Sequence, residues 1–449
     1  MKAQLAPVEK QYRFLKVYTF FWWAFFAMVY VFESLFLLQQ GFQIYQIFFN
    51  SAIAVLFSFF VMNFWSKVSD KTRKRKQFII LGNVGRVMAF GFLPFISNFQ
   101  QLVLYTIVLN ASPSSDAILI SYIYKISDYL NPKQKKERPI YHKIHTYTEV
   151  RKFGSIGWAI ALPFAGHIIN VLGFRINFAV ATVFLLILTL IFAAIFDEKL
   201  LRNLDLNLKP KVKQEKDHSI VAGPVQEYFE EKNLSVEKPL EQTEYSSLFT
   251  SISKILENRI LKVFLISAFI IAIANAMQST IFSIFNAQFT DDNYILLGLT
   301  WAFNAALEYP IMSYAAKRVE KIGWINVVIL TYVLSAIRVI LNPFLLFFEM
   351  NLIWIYLFQI INGFIFGLSW PAITLGLNIN LTSETKALGL TLYASIQLFG
   401  KFIGNILGQI LSFILGDTPA FYYALYFLAT VISLIAVLQF KLQIKRERN

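Results

Sequence analysis

The chain has no cysteine and only four histidines in 449 residues. Disulfides, thiolate metal ligands and a cysteine nucleophile are therefore excluded, and the scattered histidines make no metal-ligand spacing. Charge is scarce as well: Asp, Glu, Lys and Arg make up 15% of the residues, against roughly 25% in a soluble domain. Apolar side chains stand in their place, 57% of the chain, with 46 Phe, which is the composition of a protein dissolved in lipid. No cofactor is expected. Gly400-Lys401 is the one hint of a phosphate loop, but Ser395 stands where the upstream glycine of a nucleotide loop belongs, and the dipeptide sits inside an apolar run. No Ser/His/Asp pattern points to an enzyme.

Apolar runs long enough to cross about 30 Å of hydrocarbon fall near 14 to 38, 43 to 64, 78 to 97, 100 to 123, 152 to 171 and 174 to 196. After a polar stretch, further runs fall near 260 to 283, 294 to 316, 325 to 347, 352 to 376, 386 to 412 and 418 to 440. The first run is too long for a removable signal and lacks a small-residue cleavage site, so it reads as a retained span. The expected fold is an all-α integral membrane protein of twelve transmembrane helices. Residues 1–196 form one six-helix bundle, 197–258 a cytoplasmic linker, and 259–449 a second six-helix bundle with a cytoplasmic tail. The linker is basic, then acidic, then SSLFTSISKIL, a candidate short amphipathic helix, and reads as a solvated tether.

Formal net charge is +14, which suggests nucleic acid until the cations are placed. They cluster before span 1, between spans 2 and 3, between 4 and 5, in the linker, between 8 and 9, and in the tail. The opposite connections hold only Arg175, alongside Asp291, Asp292, Glu349 and Asp417. By the positive-inside rule both termini and the linker are cytoplasmic, in a multi-pass plasma-membrane protein. WSKVSDKTRKRK (65–76) is then a topology lock attracted to anionic inner-leaflet lipid. Membrane lipid is the partner these cations call for, and nucleic acid is not.

Six ionisable side chains fall well inside the spans: Glu33, Asp116 and Glu308 against Arg86, Arg338 and Lys401. A lone charge at the bilayer centre costs at least about 2.5 to 3.5 kcal/mol, so such groups face the bundle interior or a wet cavity. Helical spacing aligns them with amides and rings. Span 1 aligns Trp23, Phe26, Tyr30 and Glu33; span 7 Asn275, Gln278 and Asn286; span 8 Trp301, Asn304 and Glu308. Span 9 aligns Thr331, Ser335, Arg338 and Asn342; span 10 Gln359, Asn362, Phe366 and Trp370; span 11 Tyr393, Gln397, Lys401 and Asn405. Any single amide can be interhelical glue, but six such stripes favour a polar cavity with aromatic walls, suited to a sugar or nucleoside. Glu308 is the first candidate for a proton-coupling carboxylate, facing Arg338, with Asp116 and Glu33 behind it. A fixed Glu308–Arg338 ion pair joining spans 8 and 9 is the structural alternative. Asp116 with Arg86 reads equally as a structural pair or as substrate contact.

The two halves echo one another. SKVSDKTR (66–73), placed in the loop after span 2, aligns with AKRVEKIG (316–323), placed after span 8; Arg86 and Arg338 follow in spans 3 and 9, and Pro113 and Pro371 fall in spans 4 and 10. Two similar six-helix halves are the plan of one large class of secondary transporters. Asp70 with Lys71, Lys74 and Arg75 resembles the loop signature of the major facilitator superfamily, with Ser66 and Arg73 at its two glycine positions and Glu320 as the acid of the second half. RKFGSIGW (151–158), LEYP (307–310) and Arg338 resemble the branch of oligosaccharide, nucleoside and phenylpropionate proton symporters.

The resemblance implies alternating access, a gating role for Asp70, Lys71, Lys74, Arg75 and Glu320, and substrate recognition and coupling at Glu308 and Arg338. With the stripes, the candidate substrate-binding set is Arg338, Asn304, Asn275, Gln278, Gln359, Asn362, Trp370, Gln397, Lys401, Tyr30 and Arg86. The expected function is secondary transport of a small polar solute, oligosaccharide- or nucleoside-like, with protons, by a monomer. An organic-anion or aromatic-acid transporter is the alternative if Arg86, Arg338 and Lys401 all face the cavity. A non-transporting sensor or scaffold on the same fold is the alternative from another class.

Overall fold

In lipid every backbone N–H and C=O must be satisfied within its own segment, so a Phe/Leu/Ile run of span length folds as helix whatever its intrinsic propensity. A computed structural model describes residues 2–72, 74–113, 115–131, 139–200, 248–348, 351–381 and 386–448, and every regular element among them is helical. Span 1 comprises α1 (Lys2–Tyr30) and α2 (Glu33–Gln39); span 2 is α3 (Ile44–Thr72) and span 3 is α4 (Arg75–Phe92). Span 4 comprises α5 (Phe99–Ala111) and α6 (Ser115–Leu130), span 5 is α7 (Pro139–Leu172) and span 6 is α8 (Phe174–Ile195). A short helix, α9 (Leu248–Glu257), precedes span 7, which comprises α10 (Arg259–Ser279) and α11 (Phe282–Ala287). Spans 8 to 12 are α12 (Tyr294–Ile322), α13 (Trp324–Phe347), α14 (Leu352–Asn380), α15 (Lys386–Leu415) and α16 (Pro419–Arg448). Eleven of these spans are long and apolar enough to cross a membrane; the fourth is interrupted.

The helices run past the positions where charge first appears. SKVSDKT and AKRVEKI, placed in loops by their charge, are the closing turns of α3 and α12. Charge marks where the hydrocarbon ends, and nothing in either segment obliges the helix to stop there. The candidate amphipathic segment forms α9, whose Ile255 is buried beside the start of span 7. The remainder of the linker, 201–247, lies outside the described residues.

Three spans expected to be continuous are broken. In span 4 the cause is Pro113, which lacks an N–H and disfavours helical geometry in the residue before it; Ser112 is extended, at φ −74° and ψ 146°. Span 3 makes room for this break. A Cβ on Gly85 would lie 1.7 Å from Ser112 Oγ, and Arg86 Nη1 reaches to 3.5 Å from the Pro113 carbonyl. Pro371, its counterpart in span 10, stays inside a continuous helix. Spans 1 and 7 break at matching places, after Tyr30 and after Ser279, just before the echoing ESLF and FSIF segments. Neither break contains Gly or Pro. In span 1 a tightened turn takes up the change, with Phe32 N donating to Val29 O at 3.1 Å.

The first six spans and the last six meet mainly through spans 5 and 8 and through spans 2 and 11. The seal is tightest at the end opposite the linker. There a Cβ on Gly166 would sit 2.1 Å from the Tyr294 carbonyl and one on Gly298 2.4 Å from the Leu162 carbonyl, so the backbones of spans 5 and 8 touch directly. Asn170 Nδ2 donates to Asn293 Oδ1 at 3.1 Å and its Oδ1 accepts from Tyr294 N at 2.9 Å. Spans 2 and 11 join where Phe48 packs on Gly408 and Tyr45 on Phe413. By mid-span they diverge around an apolar cavity of about 170 Å³ lined by Val55, Leu56, Phe59, Phe60, Leu398, Phe399 and Phe402.

The absence of native cysteine gives this seal a background-free test. The double variant Asn170→Cys, Asn293→Cys, treated with a mild oxidant, is expected to cross-link spans 5 and 8, since the side chains it replaces already touch and a disulfide needs Cα atoms within about 7 Å. A mobility shift on non-reducing gels reports it; no cross-link in either single variant is the control.

Candidate functional site

The RKFGSIGW and LEYP segments face each other across the two bundles. Arg151 Nη2 on span 5 lies 3.6 Å from Glu308 Oε1 on span 8. Each neighbour pairs too: Lys152 Nζ sits 5.4 Å from the centre of the Tyr309 ring. Glu308 is 7% exposed, whereas Arg151 is half-buried. Span 5 aims Arg151 from its own side, through Ser155 Oγ at 3.1 Å from Nη1 and the Trp23 ring at 4.5 Å from Cζ. A Cβ on Gly154 would fall 2.5 Å from Trp23 Cδ1, so the missing side chain lets that indole lie on the backbone of span 5. Towards the linker end Glu149 continues the row, accepting from Lys152 Nζ at 2.6 Å and lying 3.7 Å from Lys16 Nζ on span 1.

Beside this pair stands an aromatic wall. Trp158 on span 5 lies 5.8 Å from Trp23, 6.2 Å from Phe26 and 6.0 Å from Tyr30, ring centre to ring centre, and Tyr30 stacks on Phe26 at 5.4 Å. Tyr30 is 50% exposed, with its ring between Phe26 of its own span and Trp158 of span 5. The wall ends at the break in span 1, where Glu33 opens α2 near the buried Tyr105 hydroxyl.

The second bundle contributes amides. Asn275 Oδ1 accepts from Gln278 Nε2 at 3.3 Å and from Ser335 Oγ at 3.2 Å, joining spans 7 and 9. Asn362 Nδ2 lies 3.4 Å from Gln359 Oε1. Gln278 Oε1, Asn304 Oδ1 and Asn362 Oδ1 are buried without partners, an uncommon condition for native polar groups.

The expected Glu308–Arg338 pair does not form. Arg338 instead lies with Cζ 4.8 Å from the Phe282 ring at the start of α11, and Glu308 turns to the other bundle. The partner was sought within one half, whereas the fold supplies it from span 5. The spacing of Arg151, Ser155 and Trp158, 4 and then 3 apart, was the signal for that face. Asn83 was also missed: fully buried, it accepts from Trp22 Nε1 at 3.1 Å and donates to Tyr18 Oη at 2.7 Å.

The other candidates are dispersed. Arg86 donates to Gly82 O at 3.0 Å and lies 5.3 Å from the Trp22 ring, so it braces the broken span 4 as well as facing inward. Gln397 Nε2 donates to Ala268 O at 2.7 Å, a link between spans 11 and 7. Lys401 is exposed on span 11; Trp370, 37% exposed, lies towards the linker end of span 10. Lys74 and Glu320 are exposed and Arg75 is half-buried at the ends of spans 3 and 8. The side chains of Asp70, Lys71 and Asp116 lie outside the described residues.

A charge pair spanning two bundles makes a definite prediction for stability. Arg151→Gln or Glu308→Gln alone leaves one charge behind and is expected to lower stability, by less than the about 3 to 5 kcal/mol of a fully buried pair because Arg151 is half-buried. The double variant is expected to lose less than the two single losses summed. Thermal unfolding of the four proteins in one detergent reads this; additive losses would show that the two groups do not interact.

A search of curated proteins finds no match. Among solved structures, the nucleoside transporter NupG superposes with a TM-score of 0.67 at 13% identity, covering 98% of this chain and 99% of its own. A POT family transporter in complex with a thioalcohol-conjugated peptide gives 0.66 at 12%, covering 96% and 94%. A bacterial homologue of the human lysosomal transporter Spinster, inward-facing and unoccupied, gives 0.66 at 12%, covering 97% of each chain. Identities this low speak for the fold alone. The profile of the MFS_1 like family matches residues 12–424, and the chain accordingly belongs to that family of multi-pass membrane transporters.

Proposed function

We propose that the protein carries a small polar solute, nucleoside- or oligosaccharide-like, across the plasma membrane by alternating access, coupled to protons. The observation that carries this reading is the Arg151–Glu308 pair bridging the bundles beside the Trp23, Phe26, Tyr30 and Trp158 rings. A sugar or nucleoside has apolar faces that stack on such rings and hydroxyls that need both donors and acceptors. Arg151 offers the donors and Glu308 the acceptors, with Asn304 one turn along span 8 from the acid. The likeness to the nucleoside transporter NupG supports the same substrate class.

The positive-inside distribution makes the linker end cytoplasmic. On that orientation the direct backbone contact of spans 5 and 8 seals the outer end. The pair supports the proton-coupled reading. Glu308 as a carboxylate holds Arg151 and so ties span 8 to span 5; a proton on Glu308 dissolves the charge attraction and frees Arg151 for solute hydroxyls. The acid thus senses protonation and bundle position together, which is the requirement for a symporter. Asp70, Lys71, Lys74, Arg75 and Glu320 act at the cytoplasmic mouth as gate residues. The 1–196 and 259–449 segments rock as units, and the protein works as a monomer.

The test is uptake into proteoliposomes under an imposed pH gradient, with a panel of nucleosides, oligosaccharides and aromatic acids. Accumulation of one polar class, collapsing when the gradient is dissipated, is expected. Glu308→Gln is expected to abolish accumulation while sparing solute exchange. Uptake indifferent to the proton gradient would sink symport, and unchanged accumulation in Glu308→Gln would remove that residue from coupling.

A further inference from the structure

Arg338 is a buried cation without an anion. It is 9% exposed, and no described carboxylate lies within ion-pair distance of it. Its Nε has no hydrogen-bond partner among the described residues, and the guanidinium lies against the face of Phe282 at 4.8 Å. Three more N–H groups without partners among the described residues lie beside Phe282 or within one helical turn of it or of Arg338. Trp301 stands edge-on to Phe282 at 5.0 Å with its Nε1 unbonded. Asn286, one turn beyond Phe282 on span 7, is 1% exposed with both amide atoms unbonded. Asn342, one turn beyond Arg338 on span 9, is 2% exposed with Nδ2 unbonded. Spans 7 and 9 run in the same direction, so the two asparagines lie on the same side of the Arg338–Phe282 contact. The Tyr426 hydroxyl, fully buried on span 12 and also unbonded, closes the set.

We propose that Arg338, Asn342, Asn286 and Trp301 form a binding site for a small monovalent anion, a halide or a carboxylate, in the core of the second bundle. Buried donors left without acceptors are strongly disfavoured, and a buried cation without a counter-charge more so. One anion answers both: it neutralises Arg338 and accepts from all four donors in charge-assisted hydrogen bonds. A neutral solute could meet the hydrogen-bond demand and would leave the charge uncompensated. The site is separate from the bridging pair, since Trp301 lies two turns, about 10 Å, along span 8 from Glu308. It therefore stands whichever solute the protein carries.

The test is thermal unfolding of the purified full-length protein in nanodiscs, with sodium chloride or sodium acetate replacing sodium isethionate, a bulky anion, at fixed ionic strength. A saturable rise of several degrees is expected with a small anion. Chloride alone acting assigns the site to a free halide, and acetate alone assigns it to a carboxylate such as one borne by a solute. Arg338→Gln is expected to lose the response; should that variant fail to fold, Asn342→Leu serves instead. Asn286→Asp is the distinguishing variant, because it supplies the negative charge from within. It is expected to be as stable in isethionate as the parent is in chloride, and to ignore added anions. A parent protein whose unfolding temperature is the same in all three salts would overturn the site, as would an undiminished response in Arg338→Gln or Asn342→Leu.

Discussion

A charge inside hydrocarbon needs a partner, and several of the described charges find theirs on another helix. That constraint ties the architecture together. Glu308 reaches from span 8 to Arg151 on span 5, Glu149 from span 5 to Lys16 on span 1, and Arg86 from span 3 to the Pro113 carbonyl at the break in span 4. Within a bundle such links fix neighbouring helices. Between bundles the same link has a second property, because it holds only while the bundles keep one relative position. The packing that surrounds it is correspondingly mixed: backbone on backbone at one end, rings and amides in the middle, charged side chains towards the linker.

The fold was legible in the sequence because lipid removes most alternatives. A run of some twenty apolar residues must be a helix, its ends are marked by charge, and the sign of that charge orders the spans. The breaks were not legible to the same degree. Pro113 announces one, but the matching breaks after Tyr30 and Ser279 carry no Gly or Pro, and only the repeated ESLF and FSIF segments mark them. Hydropathy is blind there because the flanking residues keep each window apolar in spite of Glu33, Ser279 and Thr280 at the breaks. Charge also overstated the loops: the SKVSDKT and AKRVEKI segments remain helical beyond the apolar core.

The candidate site was legible as a set of stripes and illegible as a set of contacts. Periodicity identifies the face on which Glu308 or Arg338 lies, and says nothing about which face of another span it meets. Pairing acid and base within one half was the natural assumption, and the structure places the contact between halves. The segments RKFGSIGW and LEYP were recognisable by resemblance; that they touch, cation to acid and cation to ring, is information carried only by the fold. Arg338 meanwhile belongs with the broken span 7, since Phe282 takes the place in the second half that Glu33 holds in the first.

The direct contact of Gly166 with Tyr294 and of Gly298 with Leu162 has a mechanical consequence. With no side chain between the two backbones, there is little there to compress or to swing through alternative rotamers, so the contact behaves as a hard fulcrum. Glu149 stands about 26 Å along span 5 from Gly166. A rigid-body roll of only a few degrees about the fulcrum therefore becomes a displacement of ångströms at that end of span 5, enough to make or break the 3.6 Å Arg151–Glu308 pair that joins the bundles, while the links inside the first bundle travel with it.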